Sequence, residues 1–144
     1  MLLLAVGVML FARNKPHESL ALEGASRAGA SDFEAYKSKV EVEIGEDGKV
    51  VYDNMIGMFQ IGVRAKIHNR GDRAITGLEI VGKMLSLEDK VLSQRISIPI
   101  PNGRTEPLKP GETMSVSLKV DAPNKITEAD VKDVILEVQA LKFQ

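Results

Sequence analysis

From residue 40 onward the apolar residues of this chain recur at every second position, and that period admits one kind of element. Phe59, Ile61, Val63, Ala65 and Ile67 alternate with Gln60, Gly62, Arg64, Lys66 and His68. Met114, Val116, Leu118 and Val120 alternate with Ser115, Ser117, Lys119 and Asp121. A strand sends successive side chains to opposite faces, so each run has one dry face and one wet face. Val40, Val42 and Ile44 repeat the pattern against Glu41 and Glu43, as do Leu78, Ile80, Gly82 and Met84, then Ile96, Ile98 and Ile100, then Val134, Leu136 and Val138. No segment keeps a helical period. From residue 40 the chain carries 12 Val and 11 Ile against 8 Leu, a β-branched bias that favours strands.

The breaks between runs carry turn chemistry. Gly45-Glu46-Asp47-Gly48 reads as a hairpin turn in which glycine supplies the positive φ. Asn69-Arg70-Gly71-Asp72 separates two long strands, with Asn69 and Asp72 closing a turn and Gly71 free to take φ > 0. Pro99, Pro101 and the stretch from Pro107 to Gly111 fill a long loop, and Pro110-Gly111 suits the centre of a type II turn. Thr127 with Asp130 can cap one helical turn before the last strand.

Six or seven strands, each with one dry face, are satisfied when two sheets pack face to face. The expected fold is therefore an all-β, antiparallel, immunoglobulin-like β-sandwich over residues 33–144, with a small barrel as the structural runner-up. The chain has no Cys, so its core is aliphatic and carries no disulfide. Ile61, Val63, Ile80, Val116, Leu118, Leu136 and Val138 are expected inside, and Arg64, Lys66, Glu79, Lys119 and Glu137 outside.

Two segments precede this domain. Residues 1–12 carry no side-chain charge, yet a helix of that length rises about 18 Å against roughly 30 Å of bilayer hydrocarbon. The leading reading is a membrane anchor lacking its N-terminal half, with a secretory signal and a buried segment as competitors. Residues 13–32 are read as a flexible linker, since half of residues 14–31 are Ala, Gly or Ser and Pro16, Gly24 and Gly29 interrupt any helix.

Several strings resemble a known family. A strand ends in Asn69-Arg70-Gly71-Asp72, a Val/Ile alternation runs from Gly77 to Leu85, and Pro107-Leu108-Lys109-Pro110-Gly111-Glu112 follows later. In this order they resemble bacterial membrane-tethered FxLYD-like domains across residues 40–143, although Met84-Leu85-Ser86-Leu87-Glu88-Asp89 stands where the aromatic string would fall. That resemblance implies a membrane helix, a tether and one immunoglobulin-like sandwich, with no catalytic residues to transfer.

The chemistry available is narrow. Lys plus Arg number 19 and Asp plus Glu number 20, a net charge of −1, which gives no electrostatic case for nucleic acid. No nucleotide loop, thiolate site or calcium-loop spacing is present in the sequence, so no catalytic, cofactor or metal residues are assigned. His68 shares the parity of Gln60, Arg64 and Lys66 and is expected in solvent beside a turn. The one candidate surface is the basic group Arg64, Lys66, His68, Arg70 and Arg73, with Glu79 on the next strand expected to offset it. The expected function is a non-catalytic, membrane-tethered envelope domain that meets a protein partner. Its expected place is the outer side of a bacterial inner membrane, with the cytoplasmic side as alternative. The competing reading is a small hydrolase or ligand-binding sandwich that uses turn carboxylates.

Overall fold

The computed structural model describes residues 21–53 and 57–144. The apolar segment at residues 1–12 and the linker up to residue 20 lie outside the described residues. Among those described, no helix is long and apolar enough to cross a membrane.

Seven strands are described: β1 (Ser26–Arg27), β2 (Val40–Asp53), β3 (Phe59–Asn69), β4 (Ile75–Ser86), β5 (Val91–Ile98), β6 (Thr113–Asp121) and β7 (Val131–Phe143). One short helix, α1 (Ser31–Tyr36), links β1 to β2. The strands form a four-stranded sheet in the order β1-β7-β4-β5 and a three-stranded sheet in the order β2-β3-β6. Every pairing is antiparallel. Both sheets pack over one core, a β-sandwich arrangement, which is mostly aliphatic but, unlike the expectation, also takes in Phe33, Tyr36 and Phe59.

The alternation sets which faces meet. On β3, Phe59, Ile61, Val63, Ala65 and Ile67 are buried, and on β6 Met114, Val116, Leu118 and Val120 are buried. Leu78, Ile80, Met84, Val134, Val138 and Leu141 come from the opposite sheet, and Leu136 packs against them half-buried. Gly82 faces this core where there is no room for more, since a Cβ there would lie 2.6 Å from Leu118 Cδ1. Arg64, Lys66, Lys119 and Glu137 are exposed, as their parity requires.

Glu79 departs from that rule. It is expected outside but is fully buried, because the outer face of β4 is covered by the segment ahead of α1. Leu22 N donates to Glu79 Oε1 at 2.7 Å, and Arg27 Nη1 and Nη2 each reach a Glu79 oxygen at 2.9 Å. Leu22 itself is buried, and its Cδ2 would lie 2.9 Å from a Cβ on Gly77. Residues 21–32 were expected as flexible linker. They form a docked strap instead: β1 pairs with β7, Ser26 opposite Leu141 and Arg27 opposite Ala140, and α1 begins at Ser31. Composition misled here because a few specific contacts, rather than a run of apolar residues, hold the strap.

Residues 45–48 also differ from expectation. They do not turn the chain back. Residues on both sides pair with the same strand, Ile44 opposite Ala65 and Lys49 opposite Val63, so four residues of β2 face the single residue Arg64. This is an enlarged bulge inside one long strand, beyond the usual two residues opposite one. Neither Gly45 nor Gly48 has a positive φ. Gly48 is required for close approach, because a Cβ there would lie 2.7 Å from Ile44 Cγ2 and 2.8 Å from the Arg64 carbonyl oxygen.

The Asn69 turn is tighter than a surface turn. Asn69 is buried, and its Nδ2 donates to the Arg73 and Leu108 carbonyls at 2.7 and 2.9 Å. Its Oδ1 lies 2.6 Å from the Tyr36 hydroxyl and accepts from Gly71 N at 3.2 Å. Gly71 has no positive φ. It is glycine because a Cβ would sit 2.3 Å from the Tyr36 hydroxyl. Pro110-Gly111 behaves as expected: Glu112 N donates to Lys109 O at 3.0 Å, and Gly111 has φ +82°. At the last helical turn the Asp130 carboxylate caps Thr127, accepting from its amide at 2.9 Å.

Candidate functional site

The outer face of the three-stranded sheet holds most of the basic group. Arg64, Lys66 and His68 lie in a row along β3, the middle strand. On one side their neighbours are Glu43 opposite Lys66 and Glu41 opposite His68. On the other side they face Ser117, Ser115 and Thr113 in that order.

The five candidate residues are not one patch. Arg70 pairs with Glu41 across β2. Arg73 turns away, its guanidinium 3.9 Å from the centre of the Phe143 ring. Phe143 in turn meets the Tyr36 ring edge-on at 4.8 Å, so Arg73 belongs to the packing at the end of the four-stranded sheet. Glu79 offsets none of them, being held by Arg27.

His68 is engaged on both ring nitrogens. Nε2 lies 2.7 Å from Glu43 Oε2 and Nδ1 lies 2.7 Å from Thr113 Oγ1. With the carboxylate accepting from Nε2–H, Nδ1 is left to accept from the threonine hydroxyl. The hydrogen bond from His68 holds the Glu43 carboxyl below the ordinary carboxylate range against the opposing effect of burial, and the neighbouring charges of Lys66 and Arg70 act in the same lowering direction. A hydroxyl, an imidazole and a carboxylate thus sit in sequence across β6, β3 and β2, a juxtaposition that needed the register of three strands.

Arg64 and Lys66 remain. Among the described residues, Arg64 is the one arginine whose guanidinium makes no hydrogen bond, ion pair or ring contact, and the Lys66 ammonium has no hydrogen bond or ion pair. Both border an open cleft of about 670 Å³. The bulge at residues 45–48 forms one wall, the hydroxyls of Ser115 and Ser117 the other, and Glu43, Glu46 and Asp47 stand on the bulge side. The bulge makes this cleft, because it carries β2 away from β3 opposite Arg64. Read as a hairpin, residues 45–48 gave no sign of it; two glycines flanking two acids inside an otherwise alternating run was the available signal.

Further along the same face, Tyr52 lies over Gly62, where a Cβ would be 2.6 Å from the ring, and Lys119 Nζ sits 4.6 Å from the ring centre. Glycine on the middle strand thus leaves a seat for an aromatic ring from the edge strand.

No family model matches the chain, and no curated protein matches it. Among solved structures, a β-glucuronidase from glycoside hydrolase family 2 superposes with a TM-score of 0.43 at 14% identity, over 67% of this chain. The chain spans about 12% of the length of that enzyme, and so low a score carries no argument about activity.

Proposed function

We propose that this chain is a non-catalytic, immunoglobulin-like sandwich module that binds a protein partner, held at a bacterial inner membrane through its N-terminal segment with the domain on the outer side. The observation that carries the partner-binding reading is Arg64. It is the one described arginine whose guanidinium has no partner within the fold, and it borders a cleft beside Lys66, Ser115 and Ser117. Those groups donate hydrogen bonds to carboxylate or carbonyl oxygens, so the partner presents such oxygens to that wall, while Glu43, Glu46 and Asp47 on the bulge side accept from its donors. Placement at the membrane rests on the apolar run of residues 1–12 and on the resemblance to tethered envelope domains.

The test is a photo-crosslinking residue placed at Glu46, on the rim of the cleft, in the full chain expressed in bacteria. A discrete adduct that disappears with Arg64→Glu supports the reading; equal adducts with and without that change refute it. An alkaline-phosphatase fusion after Gln144 that stays inactive while a cytoplasmic fluorescent fusion is bright would remove the outer placement.

One observation favours a second reading, that of a small hydrolase. Thr113, His68 and Glu43 stand in the order nucleophile, base and orienting acid. They lie on an open sheet face, beside rather than within the Arg64 cleft, which is why the binding reading is preferred. Ester hydrolysis by the purified chain that is lost with both Thr113→Val and His68→Gln would reverse that preference.

A further inference from the structure

A second groove runs between the two sheets where their free edges approach each other. In the sheet orders given above, β5 ends the four-stranded sheet and β6 ends the three-stranded one. Ser93 Oγ donates to Asp121 O at 2.5 Å and Arg95 Nη1 to Lys119 O at 3.5 Å, which ties the edges together at one end. Beyond that tie they part. The groove has a volume of about 890 Å³ and is walled by residues 95–99 and 113–119.

The hydrogen-bonding direction of β6 is fixed at both ends. Ala122 N donates to Phe59 O at 2.9 Å, and Asn69 N donates to Glu112 O at 3.0 Å, so the even-numbered residues bond toward β3. Alternation along an antiparallel strand then turns the backbone N–H and C=O of Thr113, Ser115, Ser117 and Lys119 toward the groove. The carbonyls of Lys119 and Asp121, which take side-chain donors from β5, confirm that direction. Ser115 and Ser117 therefore offer a row of unpaired backbone groups, the template for an added strand.

Burial agrees with an opening there. Met114, Val116 and Leu118 each keep 8% exposure, whereas Val120, beside the tie, has none. Ile96 and Ile98 line the same hollow. Its charge is one-sided: Arg95, Arg104 and Lys119 line it and no carboxylate does, in a chain whose net charge is −1. Lys119 is already taken by the Tyr52 ring, whereas Arg95, with one bond to Lys119 O, and Arg104, with bonds to Glu106 O and Pro107 O, each keep further N–H donors at the groove.

We infer that the groove between β5 and β6 accepts an extended acidic segment of a protein partner as an added strand along β6. Its backbone would pair with Ser115 and Ser117, its apolar side chains would meet Ile96, Ile98 and Val116, and its alternate carboxylates would meet Arg95 and Arg104. The inference rests on the partner-binding reading above; the groove lies on the other side of β6 from Arg64 and shares Ser115 and Ser117 with that cleft, using their backbone where the cleft uses their side chains.

The probe is a short capped peptide alternating valine with glutamate, titrated into the isotopically labelled full chain and followed by amide chemical shifts. Shifts centred on Ser97, Ser115 and Ser117, absent with a valine–lysine peptide, are the expected result. Ser117→Pro removes an edge donor without touching the ladder to β3 and is expected to weaken binding roughly tenfold or more. Arg95→Glu is expected to do the same, and carries the test should the proline variant fail to fold. Arg64→Glu is expected to leave this binding unchanged. Absence of shifts, equal binding of the lysine peptide, or loss with Arg64→Glu alone would overturn the inference, the last while supporting the outer-face reading. Self-association of the chain that Ser117→Pro abolishes would assign the edge to a second copy and overturn it as well.

Discussion

Arg27 closes a two-pronged ion pair on Glu79, both N···O distances 2.9 Å, from 52 positions earlier in the chain. The carboxylate is almost wholly sealed, with 1% side-chain exposure, while the guanidinium keeps 40%. Burial alone would raise the Glu79 carboxyl. The Arg27 hydrogen bonds, the Leu22 amide and the Arg27 charge together outweigh it and hold the group below its ordinary range. The strap is thus the part of the molecule that makes a charged residue tolerable on the outer face of β4.

Arg27→Ala leaves that carboxylate buried with one amide partner. The expected cost is about 3 kcal/mol, the lower end for a broken buried pair because the arginine is partly in water. Urea unfolding of the variant, and of a second variant in which Glu79→Met accompanies Arg27→Met, checks this. The double variant is expected to be more stable than the sum of its single changes.

The same pair sets an acid limit. A carboxyl whose folded pKa is lowered contributes stability above its unfolded pKa and loses it as pH falls through the folded value. Stability is therefore expected to decline from about pH 5, where an unfolded glutamate of pKa about 4.3 begins to protonate, until the folded carboxyl is itself protonated. Glu79→Gln is expected to flatten that decline. Thermal unfolding at stepped pH, with and without the change, measures it; an equally steep acid decline in Glu79→Gln would contradict the assignment.

The bulge makes two neighbouring glycines unequal. Gly45→Ala meets nothing within 4 Å and is expected to change stability by less than about 0.5 kcal/mol. Gly48→Ala places a Cβ against Ile44 and the Arg64 backbone and is expected to cost roughly 1–3 kcal/mol. Paired denaturation curves separate them, and equal losses would show that residues 45–48 turn rather than bulge.

Tyr36 fastens α1 to the turn after β3. Its hydroxyl lies 2.6 Å from Asn69 Oδ1 and 2.9 Å from Arg73 O, sharing one proton between them, and accepts from Arg73 N at 3.1 Å. Tyr36→Phe is expected to cost about 1–3 kcal/mol, since the buried Asn69 Oδ1 keeps only the Gly71 amide and the Arg73 amide loses its acceptor. Faster hydrogen exchange at Gly71 and Arg73 should accompany it, and unchanged exchange there would place the stability of the turn elsewhere.

The alternation of β3 and β6 fixed by itself which residues form their dry faces, because the period of a strand is local and holds wherever the strand pairs. Two packed sheets followed, since every such face needs cover. So did the type II turn at Pro110-Gly111, which depends on two adjacent residues. The pairing of distant segments was not legible in the same way. Glu79 has the parity of a solvent position, and only the arrival of Leu22 and Arg27 from the strap buries it. Residues 45–48 have the composition of a hairpin, and only the pairing of both flanks with β3 makes them a bulge. Arg64, Lys66, His68, Arg70 and Arg73 are neighbours in sequence, yet cross-strand register gives Arg70 and His68 their carboxylates, sends Arg73 to Phe143 and leaves Arg64 at the cleft without an acceptor. A side chain's face is decided by its own strand, whereas its partner is decided by whichever strand lies next to it, and that is settled only when the sheets form.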